Sequence, residues 1–192
     1  MPRILKIFVS FAAVLVGLLV FVIVAGPPRS IDYELAAVNL DSEALIERGR
    51  YVATAGNCGT CHTVEGGGFM AGGLPFETPF GTIYSTNITP DSKTGIGDWT
   101  VEVFLASMRL GVRPDGTHLY PAFPYPSLTR TSDEDIVALY AYLQSIPAIT
   151  QASPGNELSY PFNIRALMGF WKALFFEPGA FVEDPDRSAE WN

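Results

Sequence analysis

Two cysteines and a histidine stand close together at Cys58, Cys61 and His62, in the pentapeptide CGTCH. Two thiols three positions apart at the start of a helix can each add to one vinyl group of a porphyrin, and the histidine that follows then lies under the iron. The spacing therefore predicts one covalently bound haem c. Cys58 and Cys61 would attach it, and His62 would be the proximal ligand of its iron.

Two other uses of the CxxCH residues are less consistent with the sequence. A redox-active dithiol would need a βαβ setting, and none is visible around Cys58. A zinc site would need His118 to join Cys61 and His62 without a second closely spaced ligand pair. The net charge of −8 also argues against a nucleic-acid partner.

The N-terminal segment has twenty consecutive uncharged residues over 7–26, which is long enough to cross a hydrocarbon core of about 30 Å. It predicts a transmembrane anchor over 1–26. Arg3 and Lys6 precede the segment and favour a cytoplasmic amino terminus. The expected location is thus the inner membrane, single-pass, with the remaining chain in the periplasm. A cleaved signal peptide is the alternative, although its apolar core would be shorter.

The rest of the chain predicts a small all-α fold with long loops. Capping residues and apolar periodicity predict four helices, over 43–55, 101–110, 133–145 and 163–176. We expect Gly49 and Tyr51 to allow a close crossing of the first and third of these helices. The expected organisation is an anchor over 1–26, a tether over 27–40, a globular domain over 41–176 and an acidic tail over 177–192. The domain lacks a large core of its own, which a porphyrin would fill.

Several motifs occur in the order of a known family. They are GNCGTCH, GGLPFETPFGTIYSTNITPD, GIGDWTVEVFLASMRLGVRPDGTHLYPAFPYPSLT and DEDIVALYAYLQS. The chain resembles the class I cytochrome c domains in cytochrome subunits of membrane-bound periplasmic dehydrogenases, of the quinoprotein alcohol dehydrogenase and molybdenum hydroxylase type. Such subunits commonly carry three haem domains, whereas this sequence has one CxxCH. The resemblance implies a single-haem domain that docks beside a dehydrogenase, another cytochrome subunit, or both.

The resemblance also raises the question of the sixth iron ligand. In class I domains a methionine before the last core helix usually binds the iron, and Phe123 stands at that place here. Met168 is the favoured substitute, because it lies in an aromatic-rich segment beyond the usual end of a small cytochrome. The alternatives are Met108, His118 and an iron without a sixth ligand. The ordinary expectation for Met108 is core packing, and that for His118 is an exposed position in a loop.

Polar groups around the haem are also implied by the resemblance. The Leu74–Pro75 peptide is expected to accept a hydrogen bond from His62, which would fix the imidazole tautomer. Thr86, Asn87 and Trp99 correspond to positions near the haem edge, although ordinary turn chemistry explains them equally well.

The expected function is transfer of single electrons from a periplasmic dehydrogenase to a downstream cytochrome, quinone-reactive partner or oxidase. The chain itself would be an electron carrier and not an enzyme. The alternative is a haem-based ligand-binding or sensor module with an open or weakly ligated distal site, which the residue at Phe123 makes conceivable.

Overall fold

A computed structural model describes residues 3–24 and 38–191, and within the first of these segments it describes side chains at 5–17 and 20. Met1 and most of the predicted tether, residues 27–37, lie outside the described residues.

Helices form most of the regular structure. In chain order they are α1 (Arg3–Val24), α2 (Glu43–Ala55), α3 (Cys58–His62), α4 (Val101–Leu110), α5 (Tyr125–Leu128), α6 (Asp133–Ser145) and α7 (Leu167–Phe175). The predicted helices over 43–55, 101–110 and 133–145 are confirmed with these bounds. The last helix is shorter than its predicted range of 163–176.

The structure contains three short strands in addition to the helices, which the prediction of an all-α fold did not include. They are β1 (Pro75–Thr78), β2 (Gly81–Tyr84) and β3 (Glu157–Leu158), which form an antiparallel sheet in the order β1-β2-β3. The first two strands are a hairpin within the long loop after α3, and β3 comes from the segment before α7. The hairpin is too short to show clear period-2 alternation, which is why the sequence pattern did not reveal it.

The predicted transmembrane anchor is contradicted. Crossing a bilayer requires about twenty consecutive apolar residues in one helix. Among the residues that the structure describes, no helix is long and apolar enough for that crossing. The prediction of an anchor over 1–26 is therefore wrong, as are attachment to the membrane through it and the single-pass inner-membrane location. Helix α1 instead contacts α7.

Helices α2 and α6 cross at very short distance, and Gly49 makes the crossing possible. A Cβ atom at Gly49 would lie 1.9 Å from the carbonyl oxygen of Ala138 and 2.7 Å from Cβ of Tyr142. No residue with a side chain fits there without moving a helix backbone. Arg48 at the same crossing forms a 2.7 Å ion pair with Asp135. The predicted role of Gly49 is thus confirmed, whereas that of Tyr51 is wrong, because Tyr51 is 73% exposed.

The main hydrophobic cluster lies between α2, α4 and α6 and reaches the CxxCH helix. Its buried members on α4 are Val101, Phe104, Leu105 and Met108, and Cys58 packs against its edge. The ring of Phe104 contacts that of Tyr140 with 5.5 Å between centroids. The cluster therefore brings the first cysteine of the motif into contact with the core.

Helix α4 ends at Gly111, whose φ of +63° is in the left-handed region that glycine adopts without strain. The ammonium group of Lys172, on α7, donates to the terminal carbonyls of α4, at 2.8 Å to Leu110 and 2.6 Å to Gly111. It also lies 3.2 Å from Nδ1 of His118 and 4.7 Å from the ring centroid of Tyr125. Lys172 thereby joins the last helix to the end of α4.

We expect Gly49→Ala to destabilise the fold by about 3 kcal/mol or more, because the added methyl group collides with the α6 backbone. Chemical denaturation monitored by circular dichroism measures this loss. Gly155→Ala is the matched control, since nothing lies within 4 Å of the position of its Cβ. Equal stability of the two variants would contradict the crossing described above.

Because Lys172 is buried, we expect the free energy of unfolding to depend on pH. Burial lowers the pKa of Lys172 to about 7, from about 10.5 in the unfolded chain. Between these values the unfolded chain binds more protons, so the stability from Lys172 rises as the pH increases from about 7. The free energy of unfolding, relative to that of Lys172→Met, should increase by about 2 kcal/mol between pH ~7 and pH ~9. A difference that stays constant or shrinks over this interval would contradict the prediction.

Candidate functional site

The short helix α3 presents the three predicted haem-binding residues together. Cys58, Cys61 and His62 are at positions i, i+3 and i+4, which share one face of a helix. Asn57 starts this helix with φ of +54°, a left-handed conformation that asparagine tolerates. The two thiols and the imidazole are therefore directed to the same side. In the described part of the chain both cysteines are free thiols.

Burial affects the protonation of two of these side chains. It raises the pKa of the Cys58 thiol, which therefore stays protonated at neutral pH. Burial also lowers the pKa of His62, although the hydrogen bond to a backbone carbonyl works against this shift. A neutral imidazole retains the nitrogen lone pair that a metal ion requires.

The orientation of His62 is determined by the carbonyl of Thr86. Nδ1 of His62 lies 2.7 Å from this oxygen, so Nδ1 carries the proton and Nε2 is the nitrogen with the lone pair. The prediction that the Leu74–Pro75 peptide is the acceptor is wrong, because the backbone amide and carbonyl of Leu74 form hydrogen bonds with Ser85 instead. A backbone carbonyl is available at every residue, so the sequence carries no signal for the one that the fold selects.

The loop that contains Thr86 is tied to a distant segment of the chain. The side-chain amide of Asn87 donates to the carbonyl of Ile149 at 2.7 Å, and its oxygen accepts from the amide of Thr89 at 2.9 Å. Asp91 accepts from the hydroxyl of Thr150 at 2.6 Å. These bonds explain Asn87 as a structural residue, since its donors and acceptor are occupied within the protein.

The candidate sixth ligands lie in different environments. Met168 is half-buried in the first turn of α7 and is not part of the cluster that contacts Cys58. His118, expected to be exposed, is buried instead, and its carbonyl accepts from Arg165. Phe123 is half-buried against the main cluster, and Met108 is a buried member of it. No finding tests Met168 as a ligand, so its assignment stays a prediction.

The residues of α3 fit a covalently bound haem c. Two thiols on one helical face, a neutral imidazole with a free Nε2 and an adjacent apolar cluster are the groups that such a cofactor requires. In the described residues, no group of three or more histidine, cysteine or acidic side chains could hold a separate metal ion.

Because Asp91 is hydrogen-bonded as a carboxylate, we expect acid to weaken the attachment of the loop that contains Thr86. Hydrogen bonds from Thr150 and Thr94 lower the pKa of Asp91 to about 2. This stabilisation is complete above the unfolded pKa of about 4 and is lost as the pH falls toward 2. Asp91→Asn should therefore lower the denaturation midpoint at pH about 6 and have a progressively smaller effect on acidification. Asp98→Asn, an exposed position of the same loop, is the control.

The amino-acid sequence is similar to those of several dehydrogenase subunits, among them the following three. One subunit of the nicotinate dehydrogenase of Pseudomonas putida is 55% identical over 151 residues, which are 79% of this chain and 13% of the relative. The gluconate 2-dehydrogenase cytochrome c subunit of Pantoea cypripedii is 44% identical over 163 residues, 81% of this chain and 37% of the relative. The cytochrome c subunit of the quinone-type alcohol dehydrogenase of Gluconobacter oxydans is 44% identical over 150 residues, with coverage of 75% and 31%.

These relatives are named as subunits of dehydrogenases, two of them as cytochrome c subunits, which confirms the resemblance stated from the motifs. This chain spans little more than a third of their length at most. The family model for cytochrome c matches residues 46–147, which contain α3, the Thr86 loop, α4 and α6. The chain therefore belongs to the cytochrome c family.

Proposed function

We propose that this chain holds one haem c on Cys58, Cys61 and His62 and passes single electrons from a dehydrogenase to a downstream acceptor. The observation that carries the proposal is the arrangement on α3. Two thiols share a face with an imidazole whose Nδ1 donates to the Thr86 carbonyl at 2.7 Å. The cytochrome c family implies the same cofactor, covalently bound and containing iron.

Each residue of the site has a defined role in this proposal. The thiols of Cys58 and Cys61 each add across a vinyl group, so that a carbon–sulfur bond forms and the thiol proton moves to the second vinyl carbon. Nε2 of His62 binds the iron, and Thr86 holds the ring in the orientation that this bond requires. The bound haem supplies a one-electron couple. The apolar cluster beside Cys58 excludes water from one side of the site.

The relatives support a dehydrogenase as the electron donor. Those named above are subunits of enzymes that oxidise nicotinate, gluconate and alcohols. We infer that this chain likewise receives electrons from a dehydrogenase and delivers them to another cytochrome, a quinone-reactive partner or an oxidase. In this role it carries electrons and makes or breaks no substrate bond.

The attachment is tested with the full chain produced in a host that matures c-type cytochromes. The wild-type protein should gain the mass of one haem and stain for haem after denaturing electrophoresis. Cys58→Ser/Cys61→Ser should lose all covalently bound haem, because a hydroxyl does not form the thioether. Thr60→Ser is the matched control within the same pentapeptide and should retain it. Colourless wild-type protein would overturn the proposed function.

Electron transfer is tested separately by spectroelectrochemical titration of the wild-type protein. A single reversible one-electron wave supports a carrier with one haem. Rapid binding of CO to the reduced protein would favour the ligand-binding alternative, because an iron saturated by two protein ligands exchanges slowly with added ligands.

A further inference from the structure

Gly72 lies between the two segments whose contact orients the imidazole. Its backbone amide donates to the carbonyl of His62, at the end of α3, at 2.7 Å. The amide of the next residue, Gly73, donates to the carbonyl of Ser85 at 2.9 Å. Two successive glycines thus join α3 to the loop that contains Thr86, in addition to the hydrogen bond that the imidazole itself makes.

No side chain fits at Gly72. Its φ of +74° is in the left-handed region, which glycine adopts without strain. A Cβ atom there would lie 2.4 Å from the carbonyl carbon of Thr86 and 2.5 Å from its oxygen. This oxygen is the one that lies 2.7 Å from Nδ1 of His62. The bare backbone of Gly72 therefore leaves the space that the acceptor of the imidazole proton occupies.

Gly66, earlier in the same loop, has the same conformation without the same contact. Its φ is +73°, but nothing lies within 4 Å of the position of its Cβ. A methyl group at Gly66 would thus cause backbone strain alone, whereas one at Gly72 would also collide with the Thr86 carbonyl. The close approach of Thr86 is what distinguishes the two glycines.

Gln151 holds the backbone at Gly72 in place. Its side-chain amide donates to two backbone carbonyls, at 3.2 Å to Gly72 and at 3.4 Å to Ala71. Its backbone amide donates to the hydroxyl of Thr94 at 3.0 Å, and this hydroxyl also accepts from the side chain of Asn87 at 2.9 Å. Gln151 therefore connects Gly72 with the loop to which Asn87 belongs.

We propose that Gly72 and Gln151 are positioning residues for the imidazole of His62. Gly72 gives the Thr86 carbonyl room to accept from Nδ1, and Gln151, which lies beyond the matched residues 46–147, keeps Gly72 there. The inference rests on the proposed function, because it requires haem iron on Nε2. An acceptor at Nδ1 increases electron donation from Nε2 to the iron, which favours the ferric state and lowers the reduction potential.

The experiment compares Gly72→Ala with Gly66→Ala in the full chain, produced with haem. The second variant is the matched control for the strain of an alanine in the left-handed region. Spectroelectrochemical titration measures the reduction potential. Proton–nitrogen NMR of the reduced protein follows the Nδ1 proton of His62 and its exchange with solvent. Far-ultraviolet circular dichroism checks that both variants are folded.

Gly72→Ala should raise the reduction potential, because the displaced carbonyl polarises the imidazole less. The Nδ1 proton signal should move upfield and the proton should exchange faster with solvent, since its hydrogen bond is weaker. Gly66→Ala should keep the wild-type potential and the wild-type Nδ1 proton signal. A loss of stability that leaves the hydrogen bond intact would change neither measurement.

Gln151→Met tests the same assignment without a steric collision. Methionine is nearly as long as glutamine but cannot donate to the Gly72 carbonyl. The reduction potential and the Nδ1 proton signal should move in the same directions as in Gly72→Ala, by smaller amounts. This variant decides the question if Gly72→Ala does not fold with haem.

A folded Gly72→Ala protein with the wild-type potential and Nδ1 proton signal would overturn the assignment, as would equal changes in Gly66→Ala. Wild-type values in Gln151→Met would overturn the role of Gln151, and the whole assignment if Gly72→Ala does not fold. Each of these results leaves the proposed electron carrier intact, whereas wild-type protein without haem refutes that proposal itself.

Discussion

The hydrogen bond between Nδ1 of His62 and the Thr86 carbonyl is the interaction on which the site depends. It joins the helix that carries both cysteines to a loop twenty-four positions further along the chain. An imidazole that donates from Nδ1 has its lone pair on Nε2, so one contact determines both the tautomer and the direction in which this lone pair is presented. Loss of this contact would leave the ring free to rotate about its side-chain torsions.

The rest of the domain can be understood as support for this contact. Asn87 and Asp91 bind the Thr86 loop to residues 149–151, and this segment follows directly after α6 and its proline. Helix α6 is in turn held against α2 through the crossing at Gly49. Because α2 leads into α3, the same network places both partners of the His62–Thr86 hydrogen bond. The position of the imidazole is therefore a property of the whole domain.

The main hydrophobic cluster is built on different principles from the loop that contains Thr86. Apolar packing dominates it, with Met108 and Phe123 in the cluster that Cys58 contacts. The ammonium group of Lys172 lies at the end of α4, where it satisfies two terminal carbonyls.

The sequence by itself determined the features that depend on neighbouring residues. These are the CxxCH spacing, the three helices whose caps and apolar periodicity are local, and the close contact expected at Gly49. Only the tertiary structure decided that Thr86 binds His62, that a small sheet forms from the 75–84 hairpin, and that Met108 shares a cluster with Cys58. Each of these joins segments far apart in the chain, and their meeting depends on how the helices pack and not on any local pattern.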